Sequence, residues 1–129
     1  MKNGIVVADA GPIFSLALID KLDILDKLFD EVKIANAVWE EVTRDKSKNF
    51  VETIQHYFID KICKIKSFNE LTFVMDYGES ESLILFNEIN ADFLLIDDKK
   101  ARNIAENFGA KCIGTLGLLS IAKDKKLIT

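Results

Sequence analysis

Hydrophobic positions along the chain switch repeatedly between short continuous apolar runs and stretches with an apolar residue every three or four places. That pattern marks strands alternating with amphipathic helices. Ile5-Val6-Val7-Ala8 is an apolar run ending at Asp9-Ala10-Gly11-Pro12, where Gly-Pro suits a strand turning into a helix with Pro at its first position. From Ile13 to Phe29 the apolar residues Leu16, Ile19, Leu22, Leu25 and Leu28 recur at helical steps, with Asp20 placed to cap the second of two short helices. Val32-Lys33-Ile34-Ala35 predicts a brief second strand, and Asn36 is placed to cap a helix carrying Val38, Trp39 and Val42 on one side.

Residues 49–60 read as helix. Ile62-Cys63-Lys64-Ile65-Lys66 alternates like an edge strand with its lysines outward. Asp76-Tyr77-Gly78 reads as a turn before a helix over 79–90 that carries Leu83, Ile84, Phe86 and Ile89. Phe93 to Ile96 is a fully buried strand by pattern, and Lys99 to Phe108 a helix stopped by Gly109. Lys111-Cys112-Ile113 is a last strand, and Thr115 caps a closing helix that runs to about Lys123. Strands alternating with helices predict an α/β fold, a three-layer sandwich around a mostly parallel central sheet, whose ligands collect at the carboxyl ends of the strands.

Length and composition narrow the picture. At 129 residues, 49% hydrophobic and 29% charged with mixed signs, the chain is expected to form a single domain over 1–129 with one substantial core. The apolar runs are far shorter than the roughly 20 residues needed to cross a bilayer, and no signal peptide is read at the N-terminus. Cys63 and Cys112 lie far apart in apolar surroundings and read as two buried thiols, which fits a reducing cytoplasm. The net charge of −4 does not advertise a nucleic-acid binder. Local basic groups at Lys99-Lys100-Arg102 and Lys123-Lys125-Lys126, and neutralisation of acids by divalent ions, temper that.

The candidate chemistry lies in carboxylates. Asp9 follows the first strand and Asp97-Asp98 follow the fourth. Glu41 rides the helix after the second strand, and Glu79 and Glu81 open the helix before the fourth. If the strands are parallel neighbours these acids converge at one edge, and such a cluster either raises its own pKa values or binds a cation. Mg²⁺ or Mn²⁺, which prefer oxygen ligands and can activate water beside a phosphodiester, would resolve the conflict.

Asp9-Ala10-Gly11-Pro12, Ala37-Val38-Trp39-Glu40-Glu41-Val42, Gly78-Glu79-Ser80-Glu81-Ser82 and Leu94-Leu95-Ile96-Asp97-Asp98-Lys99-Lys100-Ala101-Arg102 resemble, in order, the acidic blocks of PIN-domain proteins. The likeness is nearest to small prokaryotic PIN domains related to VapC-type toxins, with their GEAEA-like helix start and LLIDDRRAR-like strand end. The resemblance implies an RNase H-like or FEN-like α/β fold and Mg²⁺- or Mn²⁺-dependent RNA cleavage. It also implies frequent homodimers and often a small antitoxin partner. Carried over, Asp9 and Glu41 are the first two metal ligands and catalytic acids, Glu41 rather than Glu40 occupying the family's position. The third falls on Glu79 or Glu81, an ExE pair at a helix start that also resembles the flap endonucleases, where both acids take part, so both are kept as ligands. The fourth falls on Asp97 or Asp98, a pair expected to share metal or water contacts. Ala10 replaces a common hydroxyl residue, the usual Pro is absent around Ala35-Asn36, and Ile96 stands where toxins often carry Thr or Ser.

Each acid taken singly also fits a structural role, whether a helix cap for Asp9 and Asp97-Asp98, a helix N-terminus for Glu79 and Glu81, or a solvated face for Glu40-Glu41. Lys99, Lys100 and Arg102 form the candidate RNA-phosphate clamp, and Thr115 could add a hydroxyl and amides at a helix start. Trp39 and the nine Phe residues are expected in the core, and His56 on the surface or in packing. No Gly-rich phosphate loop is present, and a second acid is missing where haloacid-dehalogenase-type phosphatases would need one, at Gly11. The rival reading is a PIN-like module that binds RNA or protein and cuts little or nothing.

Overall fold

The computed structural model describes residues 2–128. Five strands, β1 (Ile5–Ala8), β2 (Glu31–Ala35), β3 (Ile62–Cys63), β4 (Phe93–Leu95) and β5 (Cys112–Ile113), pair in the order β3-β2-β1-β4-β5, all parallel. Parallel neighbours require crossovers, and helices supply them. Helices α1 (Ala10–Leu18) and α2 (Ile24–Leu28) link β1 to β2, and α3 (Asn36–Thr43) and α4 (Val51–Phe58) link β2 to β3. A 3-10 turn (Leu71–Phe73) and α5 (Tyr77–Glu88) lead to β4, α6 (Lys99–Asn107) leads to β5, and α7 (Thr115–Asp124) follows. The α/β sandwich expected from the alternation of patterns is what forms.

The strand order places a switch point at β1. From there the chain moves outward to β2 and β3, then returns past β1 to β4 and β5. Right-handed crossovers in opposite directions cover opposite faces, and a crevice opens at the carboxyl ends beside β1. Ala8 is in register with Leu95, and the Asp9 amide donates to the Leu95 carbonyl at 2.9 Å. Asp9 therefore leaves the sheet directly beside residues 96–98.

Burial explains the patterns. Val6, Val7, Ala8, Leu94 and Leu95 are fully buried, because central parallel strands are covered on both faces. Helix α5 is buried nearly all round from Ser80 to Phe86 and packs against β1, β2, β4 and α3. Its buried serines satisfy themselves within the helix, Ser80 Oγ donating to the Tyr77 carbonyl and Ser82 Oγ to the Gly78 carbonyl. Gly109 ends α6 at φ 88, in the left-handed region that a helix stop favours.

Several local expectations shift. Pro12 is the third residue of α1, still within the first turn where its missing N–H costs nothing. Asp20 does not cap α2; it sits at φ 57, a left-handed position that Asp tolerates, and α2 begins only at Ile24. Asn36 lies inside α3 with its amide donating to Glu40 Oε1 at 3.0 Å, instead of capping. The edge strand β3 stops after Cys63, because residues 66 and 67 are drawn to α5, where their amides donate to the Glu88 carboxylate. Helix α5 starts at Tyr77, so Asp76-Tyr77-Gly78 is a cap and first turn.

The two cysteines are half-buried free thiols, not fully buried ones. They lie on the two opposite edge strands, four strand spacings or about 19 Å apart, far beyond disulfide reach. Phe68, Phe73 and Phe108 are exposed, contrary to the expectation that every Phe packs inside. Trp39 does pack against the core, and His56 is exposed on α4.

Candidate functional site

Local structure at the carboxyl edge begins with Asp9. The side chain follows a buried β-strand and precedes α1, so backbone geometry alone holds it in the crevice, and it is only 7% exposed. Its carboxyl is pushed up to about 7 from the usual 3.8. Burial is the main cause; the Ala10 amide opposes it, and the negative charges of Glu79, Asp76 and Glu41 reinforce it. Glu41 is pushed up by burial and by Asp76, against a downward pull from Arg44. Burial also pushes Glu79 up, opposed by the Asp76 amide and aided by the charges of Asp76, Asp98 and Glu41. Asp9, Glu41, Glu79, Asp76 and Asp98 thus share one negative field.

Asp76 completes this group, although by sequence pattern it is only a turn residue. It forms a capping box with Glu79: Asp76 Oδ1 accepts from the Glu79 amide at 2.7 Å, and Glu79 Oε1 accepts from the Asp76 amide at 3.2 Å. The spacing Asp-x-x-Glu before an apolar run was the available signal.

Gly78 supplies the space between the acids. A Cβ at this position would lie 2.9 Å from Glu41 Oε1 and 3.6 Å from Asp9 Oδ1. Gly78→Ala is therefore expected to displace the Glu41 carboxylate while the fold tolerates the change, since only the tip of a side chain must move. Calorimetric titration with Mn²⁺ should show affinity weakened by about tenfold or more, with melting little altered. Unchanged Mn²⁺ affinity would contradict this placement.

The remaining predicted residues are held apart from that group to different degrees. Glu81 is 6% exposed, and its Oε1 accepts from the buried Ala37 amide at 3.0 Å, anchoring the first turn of α3. The structure directs it there and not toward Asp9. Glu40 is exposed and engaged with Asn36. Asp97 accepts from the Thr115 amide at Oδ1 and from Thr115 Oγ1 at Oδ2, both at 2.7 Å. The amide and hydroxyl of Thr115 that could have met a phosphate are thereby engaged, and α7 is pinned to the end of β4. Asp98 caps α6 by accepting from the Ala101 amide at 2.9 Å.

Among the basic groups, Lys99 and Lys100 are exposed in the first turn of α6, next to Asp98. Arg102 is half-buried, its guanidinium lying with Asp97 against Gly114. Lys123, Lys125 and Lys126 lie at the far end of α7, about 15 Å along the helix from Thr115, and so stand away from the acids. A separate groove of about 680 Å³, lined by Asp20, Asp23, Glu52, His56 and Tyr57 among others, involves none of the clustered carboxylates. It is formed by the turn between α1 and α2 together with α4.

The chain matches a PIN domain over residues 5–129. It belongs to the PIN-domain family. No functionally curated protein matches it. PIN domains are generally nucleases and typically depend on divalent metal. The pocket of this PIN domain fits such an ion in the chemistry of its donors, which are carboxylate oxygens alone and repel one another. Among the described residues neither ion pair involves the pocket, since they join Lys27 to Asp23 and Lys61 to Asp60. Nor do any three acid, His or Cys side chains among the described residues already form a group that could hold a metal ion. The acids are neighbours around Asp9, not a closed cage. No helix among the described residues is long and apolar enough to cross a membrane.

Proposed function

We propose that this PIN domain is a Mg²⁺- or Mn²⁺-dependent endoribonuclease in which Asp9, Glu41 and Glu79 hold the ion, with Asp98 and the newly identified Asp76 at its margin. The observation that carries this reading is the burial of Asp9 among Glu79, Asp76 and Glu41, a charge arrangement that costs stability unless a cation enters. When bound, the ion would lower the pKa of a water and offset charge on the scissile phosphodiester.

The side chains have distinct tasks. Asp9, its carboxyl pushed up to about 7 by burial, would hold the ion through its deprotonated oxygens. The capping box fixes Glu79 and leaves its second oxygen for the pocket. Lys99 and Lys100 stand where they can meet phosphates beside Asp98, while Asp97 works indirectly by tying α7 to the end of β4. A VapC-like toxin role, with a homodimer in the cytoplasm and a small antitoxin as partner, extends the same proposal and draws on the motif resemblance alone.

The decisive experiment incubates a labelled RNA panel with the wild-type chain, Asp9→Asn and Asp98→Asn in Mg²⁺, Mn²⁺ or EDTA. Cleavage should require the ion and fall at least about 100-fold in each variant. Equal cleavage by all three proteins would mean a contaminant. A second reading, a PIN module that binds RNA or protein without cutting, is separated by the same assay. RNA binding with no cleavage in either metal would establish that instead.

A further inference from the structure

Residues 66–76, which lead from β3 into α5, lie as a strap along α5 from its last residue back to its first turn. At the far end the Glu88 carboxylate accepts from the amides of Lys66 and Ser67 and from Ser67 Oγ, at 2.7–3.0 Å. Midway, Asn69 Nδ2 donates to the buried Ser80 Oγ at 2.9 Å, and its Oδ1 accepts from the Leu71 amide. At the near end the capping box of Asp76 and Glu79 fastens it. Little else holds it, since Met75 is the one buried residue of the strap and Phe68 and Phe73 are 86% and 95% exposed. A segment with so little buried apolar surface opens locally at a far smaller free energy than the sheet does.

The near fastening is made by groups of the acid pocket. Asp76 caps α5 with the carboxylate whose charge bears on Asp9, Glu41 and Glu79, and the Glu79 carboxylate that accepts from the Asp76 amide belongs to the same cluster. Docking the strap therefore adds a negative charge to a group that already repels itself, and a cation among those oxygens turns the repulsion into attraction. We propose that cation entry at Asp9, Glu41 and Glu79 locks the 66–76 strap along α5, and that release of the strap frees Glu79 from its fixed orientation and disarms the pocket. The inference rests on the metal reading of that pocket. Coupling of this kind is reciprocal, so whatever the ion adds to docking of the strap, docking adds to ion affinity. Glu88 stands at the other end of a 12-residue helix, about 16 Å from Tyr77. Loosening the strap there or at Asn69 thus weakens ion binding without touching a ligand.

The test is deuterium exchange of the full chain, read by mass spectrometry on peptides covering 66–76 and the helix stop at 108–110, in EDTA and in excess Mn²⁺. Calorimetric Mn²⁺ titration runs beside it. Mn²⁺ should slow exchange of the strap about tenfold or more and leave 108–110 unchanged. Joint replacement of Asn69→Ala and Glu88→Ala should speed strap exchange in EDTA with melting little altered. Mn²⁺ affinity of that double variant should fall to the share of wild type set by the fraction of molecules whose strap stays docked. Mn²⁺ binding with strap exchange unchanged, or slowed equally in both peptides, would overturn the latch and leave the metal pocket standing. So would a double variant whose strap exchanges freely yet binds Mn²⁺ as wild type does. A calorimetric trace with no Mn²⁺ binding at all would remove the metal reading and the latch with it.

Discussion

Asp9→Asn is expected to abolish metal-dependent RNA cleavage and, at the same time, to make the ion-free protein more stable at pH 8. The Asp9 carboxyl titrates at about 7 in the fold against 3.8 when unperturbed. A raised carboxyl pKa means that the folded state prefers the neutral acid. Below pH 3.8 both states are protonated and there is no penalty. The penalty grows as pH rises from about 4 to about 7 and is complete above that, amounting to roughly 4 kcal/mol at most. Glu41 and Glu79 are shifted the same way and add to the trend. Thermal melts in EDTA should therefore show wild-type stability falling across pH 4–7, with Asn at position 9 flattening much of that slope. Adding Mn²⁺ at pH 8 should recover the wild type and leave the variant unmoved, because ligands that bind only the native state stabilise it. A pH-independent wild-type melt, or equal stabilisation of both proteins by Mn²⁺, would disprove the electrostatic account of the pocket.

Glu81→Ala should cost stability without touching the ion. The change removes the acceptor for the buried Ala37 amide, and an unsatisfied buried donor costs about 1–3 kcal/mol, which lowers the melting point by several degrees. Glu81→Gln keeps an acceptor and should melt close to wild type. Calorimetric Mn²⁺ titrations then divide the two acids of the ExE pair: Glu79→Gln should weaken binding about tenfold or more, and Glu81→Gln should not. Loss of Mn²⁺ affinity in Glu81→Gln equal to that in Glu79→Gln would return Glu81 to the ligand set.

That pair also shows where the sequence could and could not be read. Residues two apart on a helix point about 200° from each other, so Glu79 and Glu81 leave α5 in different directions, and Glu81 meets the Ala37 amide. Helical geometry could have separated them, but which one faced Asp9 depended on how α5 packs against α3, a tertiary matter. Asp9 and the parallel sheet were legible because a buried strand ending in an acid leaves little freedom for the side chain. Asp97 and Asp98 were harder, since adjacent residues beyond a strand end can each cap a different helix, and here they do. Asp20 and Asn36 misled because Asp and Asn favour caps, left-handed turns and helix first turns for overlapping reasons. Phe73 misled because Leu71 and Met75 take the inward places on either side of it, and apolar periodicity does not say which of neighbouring apolar residues is left outside.

The short outer strands of the sheet carry one more consequence. β3 and β5 offer only two residues each, so few main-chain donors and acceptors are left unpaired at either border. Copies of the molecule gain almost nothing by zipping their sheets together. Concentrated solutions should resist fibril growth from the native state, and any lasting association between copies has to be built from helical faces and side chains.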